Sequence, residues 1–182
     1  MEIQFQRDEN NPNKYQIFEN AKIIFYAIFD NKTGSTLLYK PNNELSGKGF
    51  PISNRKFQLI PNYTIQLYEG KTTDILVKSQ SFFYQSKKFI YEGFQYSIIQ
   101  HFGTKFSIFK ERKQIAIYQT YNFNSAHNGM VLYCDDNSPY FLFCLISLYL
   151  YSDFGNDGVL TNQPYNFWFQ AKKVNKNWRP NA

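Results

Sequence analysis

Residues 138–152, SPYFLFCLISLYLYS, constrain the fold more than any other stretch of the chain. The run has no charge, and Phe141, Leu142, Phe143, Leu145, Ile146, Leu148 and Leu150 cannot share one helical face. Before it, Asp135, Asp136, Asn137 and Ser138 lead into Pro139. Acidic residues, a capping side chain and Pro in the first turn together mark a helix start. After it, Gly155 and Gly158 in DFGNDG supply a stop. A helix over about 138–152 is about 21 Å long, short of the roughly 20 apolar residues that span a bilayer. A helix apolar on every side has to be enclosed on every side, so the rest of the chain must wrap it. Its aromatic and β-branched content leaves a buried strand pair as one alternative and a membrane anchor as another.

The wrapping is legible upstream. From Tyr15 to Tyr133 the chain reads as short strands: KIIFYAIFD (22–30), STLLYKP (35–41), KFQLI (56–60), TIQLYE (64–69) and DILVKS (74–79), then KFIYE (88–92), FQYSIIQ (94–100), TKFSIFK (104–110) and QIAIYQTY (114–121). Ile65 and Leu67 oppose Thr64, Gln66 and Tyr68, as Phe106 and Ile108 oppose Lys105 and Ser107, which is one dry and one wet face. The turns are brief, as at DNKTGS, the two EG pairs, HFGT and KERKQ, so neighbouring strands run antiparallel. An alternating strand–turn–strand unit recurs near 22–40, 64–79 and 94–110. The total is about ten to twelve strands, and a closed sheet of about twelve has room inside for one helix. The expected fold is therefore mainly β: a closed antiparallel barrel of about 12 strands enclosing one hydrophobic α-helix. NNELSGKGFPISN (42–54), with two Gly and a Pro, reads as the loosest region. Residues 1–13 read as an arm or capping segment, 14–153 as the barrel, and 154–182 as a C-terminal extension.

A chain of 182 residues suits one core. Its formal charge of +6 mildly favours phosphate-bearing partners or an anionic surface and says nothing about fold. The two cysteines, Cys134 and Cys144, have neither disulfide nor zinc spacing, which fits a reducing intracellular compartment. No secretory signal is visible at the start, so the expected location is cytoplasmic or peripheral at a membrane.

Little chemistry is written here. His101 lies in a turn beside Gly103 and His127 in the polar loop NSAHNG, both without ligand-spaced neighbours. Asp135 and Asp136 read as dipole and capping partners of the helix rather than as a carboxylate pair. Cys144, inside the apolar run, lacks the exposure a nucleophile needs. Neither a phosphate-binding Gly-rich loop nor G-x-S-x-G occurs. No enzyme activity, cofactor or metal is expected.

Basic residues are the positive lead. Lys105, Lys110, Arg112 and Lys113 cluster around one hairpin in sequence, with Glu111 between them, and Lys87 and Lys88 precede another strand. These six are the candidates for holding a lipid headgroup or other anion. In the extension, Trp168, Lys172, Lys173, Trp178 and Arg179 are the candidates for docking a partner. Nucleic-acid binding would draw on charge alone, since Phe and Tyr already have a role in the core.

The order of elements resembles the tubby C-terminal-like superfamily, which includes tubby-like, LURP-one-related and phospholipid-scramblase-like domains. The resemblance covers about residues 14–153. It rests on YQIFENAKIIFYAIFDNKTG, on the repeated strand–turn–strand units, and on the DD before SPYFLFCLISLYLY. It implies a closed barrel of about twelve strands threaded by a late hydrophobic helix. It also implies a non-catalytic binding or scaffold role toward a protein, with binding of anionic phospholipid headgroups as the alternative. In many relatives the helix nearly ends the chain, whereas residues 154–182 follow it here. Scramblase activity is not implied, because neither a cysteine-rich palmitoylation run nor an acidic calcium loop is present.

Overall fold

Period-two alternation builds the wall that the apolar helix requires. The computed structural model describes residues 1–30, 32–52, 62–80, 86–100, 105–123, 127–155, 175 and 177–180. Over these run β1 (Glu2–Arg7), β2 (Lys14–Glu19), β3 (Lys22–Asp30), β4 (Ser35–Tyr39), β5 (Leu45–Pro51) and β6 (Tyr63–Glu69). There follow β7 (Lys71–Ser79), β8 (Ser86–Tyr91), β9 (Phe94–Gln100), β10 (Lys105–Lys110), β11 (Lys113–Phe123) and β12 (His127–Cys134), and then the helix α1 (Tyr140–Gly155). Every strand pairs antiparallel with its sequence neighbour, and β1 closes the ring by pairing with both β2 and β12. Two-residue turns at Asn20–Ala21 and Glu92–Gly93 have positive φ throughout, the hairpin geometry that matches strand twist.

Inside the ring lies α1. Leu142 to Ile146 are fully buried, and Ser147, Leu148 and Tyr149 nearly so. Contacts reach it from different parts of the wall. Tyr140 meets Phe25 on β3 with ring centroids 6.2 Å apart, Phe143 meets Tyr96 on β9 edge-on at 6.1 Å, and Tyr149 stacks on Tyr63 of β6 at 4.3 Å. The inward wall residues Ile3, Ile17, Leu38, Ile65, Val77, Ile98, Ile108 and Leu132 complete one continuous core. No described helix is long and apolar enough to cross a membrane.

The helix presses on the wall at β5. A Cβ added at Gly47 would stand 3.0 Å from Leu145 Cδ2 and 3.1 Å from the Gln66 carbonyl oxygen. One at Gly49 would stand 3.2 Å from the Tyr149 ring. These glycines are there for space, which corrects the expectation of a loose segment over 42–54: residues 45–51 are a strand kept bare for α1 at 47 and 49. The expected arm also differs from what is found. Glu2–Arg7 alternates with Ile3 and Phe5 inward, so it is a wall strand and the barrel begins at β1. The expected strand at 56–60 lies outside the described residues.

The helix starts at Tyr140, two residues later than the expected bound, and the Pro139 carbonyl accepts from Phe143 N–H. Asp135 and Asp136 do not cap it. Asp135 Oδ2 lies 3.2 Å from Lys113 Nζ, and Asp136 Oδ1 lies 3.0 Å from the Met1 amino nitrogen. The acidic pair sits at the end of β12, beside the β10–β11 hairpin and the start of β1, where cations compete for it more effectively than a helix end several residues away.

Candidate functional site

The candidate cations do not form one patch. Lys105 and Lys110 begin and end β10, about 17 Å apart along the strand. Lys110 Nζ sits 3.5 Å above the Phe94 ring, an arrangement in which a cation meets the negative face of an aromatic. Lys113 is held by Asp135. Arg112 is exposed at the turn. Glu111, with φ +53°, clamps that turn to β9: its N–H donates to the Gln95 carbonyl, and its carboxylate accepts from Gln95 N–H, both at 2.8 Å.

Lys87 and Lys88 part company because a strand alternates. Lys87 points inward and is buried; its Nζ donates to Ser79 Oγ at 3.3 Å and lies 5.0 Å from the Tyr63 ring centroid. It cannot serve an outer-wall headgroup site. Lys88 points outward, directly opposite Lys78 on β7. Like charges facing each other across a rung repel, and an anion placed between them is favoured.

In the extension, the described residues touch the barrel. Asn175 and Gln114 exchange hydrogen bonds, each at 3.1 Å, the Gln114 amide donating to the Asn175 carbonyl and the Asn175 N–H to Gln114 Oε1. The Arg179 guanidinium lies 4.1 Å from the ring centroid of Tyr133 on β12. Trp178 is half-buried. Trp178 and Arg179 therefore sit on or beside the chain's own wall. Trp168, Lys172 and Lys173 lie outside the described residues, as does His101. His127 opens β12 rather than sitting in a loop.

Both thiols are buried. Burial pushes Cys134 up to about 12 and Cys144 well above the ordinary thiol range. Burial and then the charge of Glu92 raise the Tyr96 phenol. Among the described residues no three His, Cys, Asp or Glu side chains are grouped to hold a metal.

What the sequence reading missed is an apolar outer face beside the lysine pair. Leu76 is 41% exposed and Ile90 67%. The parity of DILVKS carried the signal: with Ile75 and Val77 inward, Leu76 and Lys78 must share the outside.

These features define a class: an antiparallel barrel plugged by its own helix, with mixed apolar and cationic ground on the outer wall. No protein-family model, curated protein or solved structure matches the chain.

Proposed function

We propose that the chain is a non-catalytic binding barrel of the tubby-like kind, a scaffold that engages a protein partner through its outer wall. One observation carries this reading. α1 fills the interior, so recognition is left to the outside, and there Leu76 and Ile90 stay exposed next to Lys78 and Lys88. Exposed apolar side chains beside a polar rim are the usual composition of a protein docking face. Kinship with the tubby-like domains is supported by the strand count, the antiparallel order and the late enclosed helix.

Headgroup binding, the alternative, has less support, because the six cations read as its site are spread over both ends and both faces of the wall. The full chain, immobilised, distinguishes the two. The protein-binding reading expects a partner retained at fixed stoichiometry and released by Leu76→Glu with Ile90→Glu. Retention of anionic vesicles alone, weakening with salt and indifferent to that pair of changes, would contradict it.

A further inference from the structure

Around most of the ring, neighbouring strands register at four to eight positions. β7 and β8 register at two, Lys78↔Lys88 and Ser79↔Lys87. Beyond these, Gln80 N–H donates to the Ser86 carbonyl at 2.8 Å. Antiparallel rungs alternate in side, so Lys78 and Gln80 direct N–H and C=O toward β8, and the even-numbered residues Leu76, Asp74 and Thr72 do likewise. The ladder stops before all three. Odd-numbered Val77, Ile75 and Thr73 face β6, opposite Tyr63, Ile65 and Leu67.

The gap is in the backbone ladder and not in the core, since Ile75, Val77 and Phe89 stay buried behind it. A closed barrel normally has no free edge, and this one keeps a short edge on β7. β8 ends at Tyr91, at the tight Glu92–Gly93 turn, so Lys71–Asp74 extends past the end of its neighbour. The side chains beside the edge set its taste. Leu76 and Ile90 are exposed, and the outward or exposed Lys71, Lys78 and Lys88 outnumber the two acids beside the edge, Asp74 on β7 and Glu92 in the turn after β8.

We infer that the unpaired edge of β7, residues 72–76, takes an extended segment of a partner protein by strand addition, the segment carrying acidic and apolar residues in alternation. This rests on the binding-barrel reading and names its site. Main-chain bonds to Thr72, Asp74 and Leu76 supply the pairing, Leu76 and Ile90 seat the apolar positions, and Lys78 and Lys88 meet the acidic ones. To admit the segment, the β8–β9 tip moves outward by about one strand spacing, 4.8 Å, while the rungs at Lys78 and Ser79 hold.

The test is amide exchange by NMR on the full chain, with a synthetic peptide of about six residues alternating Glu and Val. In the free protein, Thr72, Asp74 and Leu76 amides exchange fast, whereas Thr73 and Ile75 are protected. The peptide slows the first set by about tenfold or more, the loss of two surface ion pairs in Lys78→Glu with Lys88→Glu weakens binding by about tenfold, and unchanged α1 amides show that this variant is folded. A Lys–Val peptide, or the Glu–Val peptide with a central Pro, gives no protection. Equal protection by the Lys–Val peptide, or even-numbered amides unmoved by the Glu–Val peptide, overturns the proposal. Protection that rises with protein concentration alone assigns the edge to a second copy and also overturns it. A protein partner retained while these amides stay silent removes strand addition and leaves the binding barrel standing; no retained partner at all removes both.

Discussion

Ile117 on β11 and Leu76 on β7 occupy equivalent places in their strands: each is an apolar residue at an outward position. Their fates differ. Ile117 is fully buried, and its outward neighbours Ser107 and Gln119 are nearly so, in a wall where β11 and β12 register at eight positions and Arg179 lies on Tyr133. Leu76 is exposed, on a strand stitched to β8 at two. One side of the barrel has a buried outer face, and the other an exposed one with an interrupted ladder. Where the chain covers its own outer wall, apolar side chains belong to stability; where it leaves the wall bare, they are free to belong to recognition.

The upper bound for the comparison comes from the interior. Leu145→Ala, with no exposure in the native state, is expected to cost about 2–5 kcal/mol by urea denaturation. On the walls, Ile117→Ala should cost about 2 kcal/mol or more, against less than about 0.5 for Leu76→Ala. Equal costs at the two outward positions would erase the distinction between sealed and bare walls. Gly47→Ala should cost about 1–3 kcal/mol through its collision with Leu145. Adding Leu145→Ala should relieve the Leu145 part of that cost, with the Gln66 carbonyl oxygen limiting the recovery. The smallest effect is expected at the surface pair: Lys113→Ala should change stability by under about 1 kcal/mol.

Alkali offers a test with a defined sign. Cys134, Cys144 and Tyr96 hold their protons more tightly folded than unfolded, so their contribution to stability is complete below pH 9 and lost as pH rises toward about 12. The denaturation midpoint should fall across that window, and Cys144 should react with a thiol reagent only as the barrel unfolds. Labelling of Cys144 in the native state at neutral pH would mean that the helix is reachable from solvent.

Much of the architecture was legible because it rests on short-range patterns. The uncharged run at 138–152 demanded an enclosure, and the alternation in KIIFYAIFD, TIQLYE and TKFSIFK supplied one. The misreadings share a physical cause, which is that a residue type serves different ends in different surroundings. Gly47 and Gly49 looked like loop residues, yet they are bare places in a strand pressed by a helix nearly a hundred residues later in the chain. Asp135 and Asp136 looked like helix caps, but Lys113 and the Met1 amino group stand nearer. Lys87 and Lys88 looked like one cluster until alternation sent one inside. The site was less legible than the fold. Nothing local separates Ile117 from Leu76, and the lost rungs between β7 and β8 follow from how the closed ring fits together.

Residue-resolved hydrogen exchange on the free chain probes the central claim, a helix-plugged barrel whose contacts with other molecules are left to the bare side of its wall. The amides of Leu142 to Tyr149 should open only with global unfolding, and those of Thr72, Asp74 and Leu76 should exchange orders of magnitude faster than Thr73 and Ile75 between them. Helix amides exchanging through a local opening, or uniform protection along β7, would contradict the account.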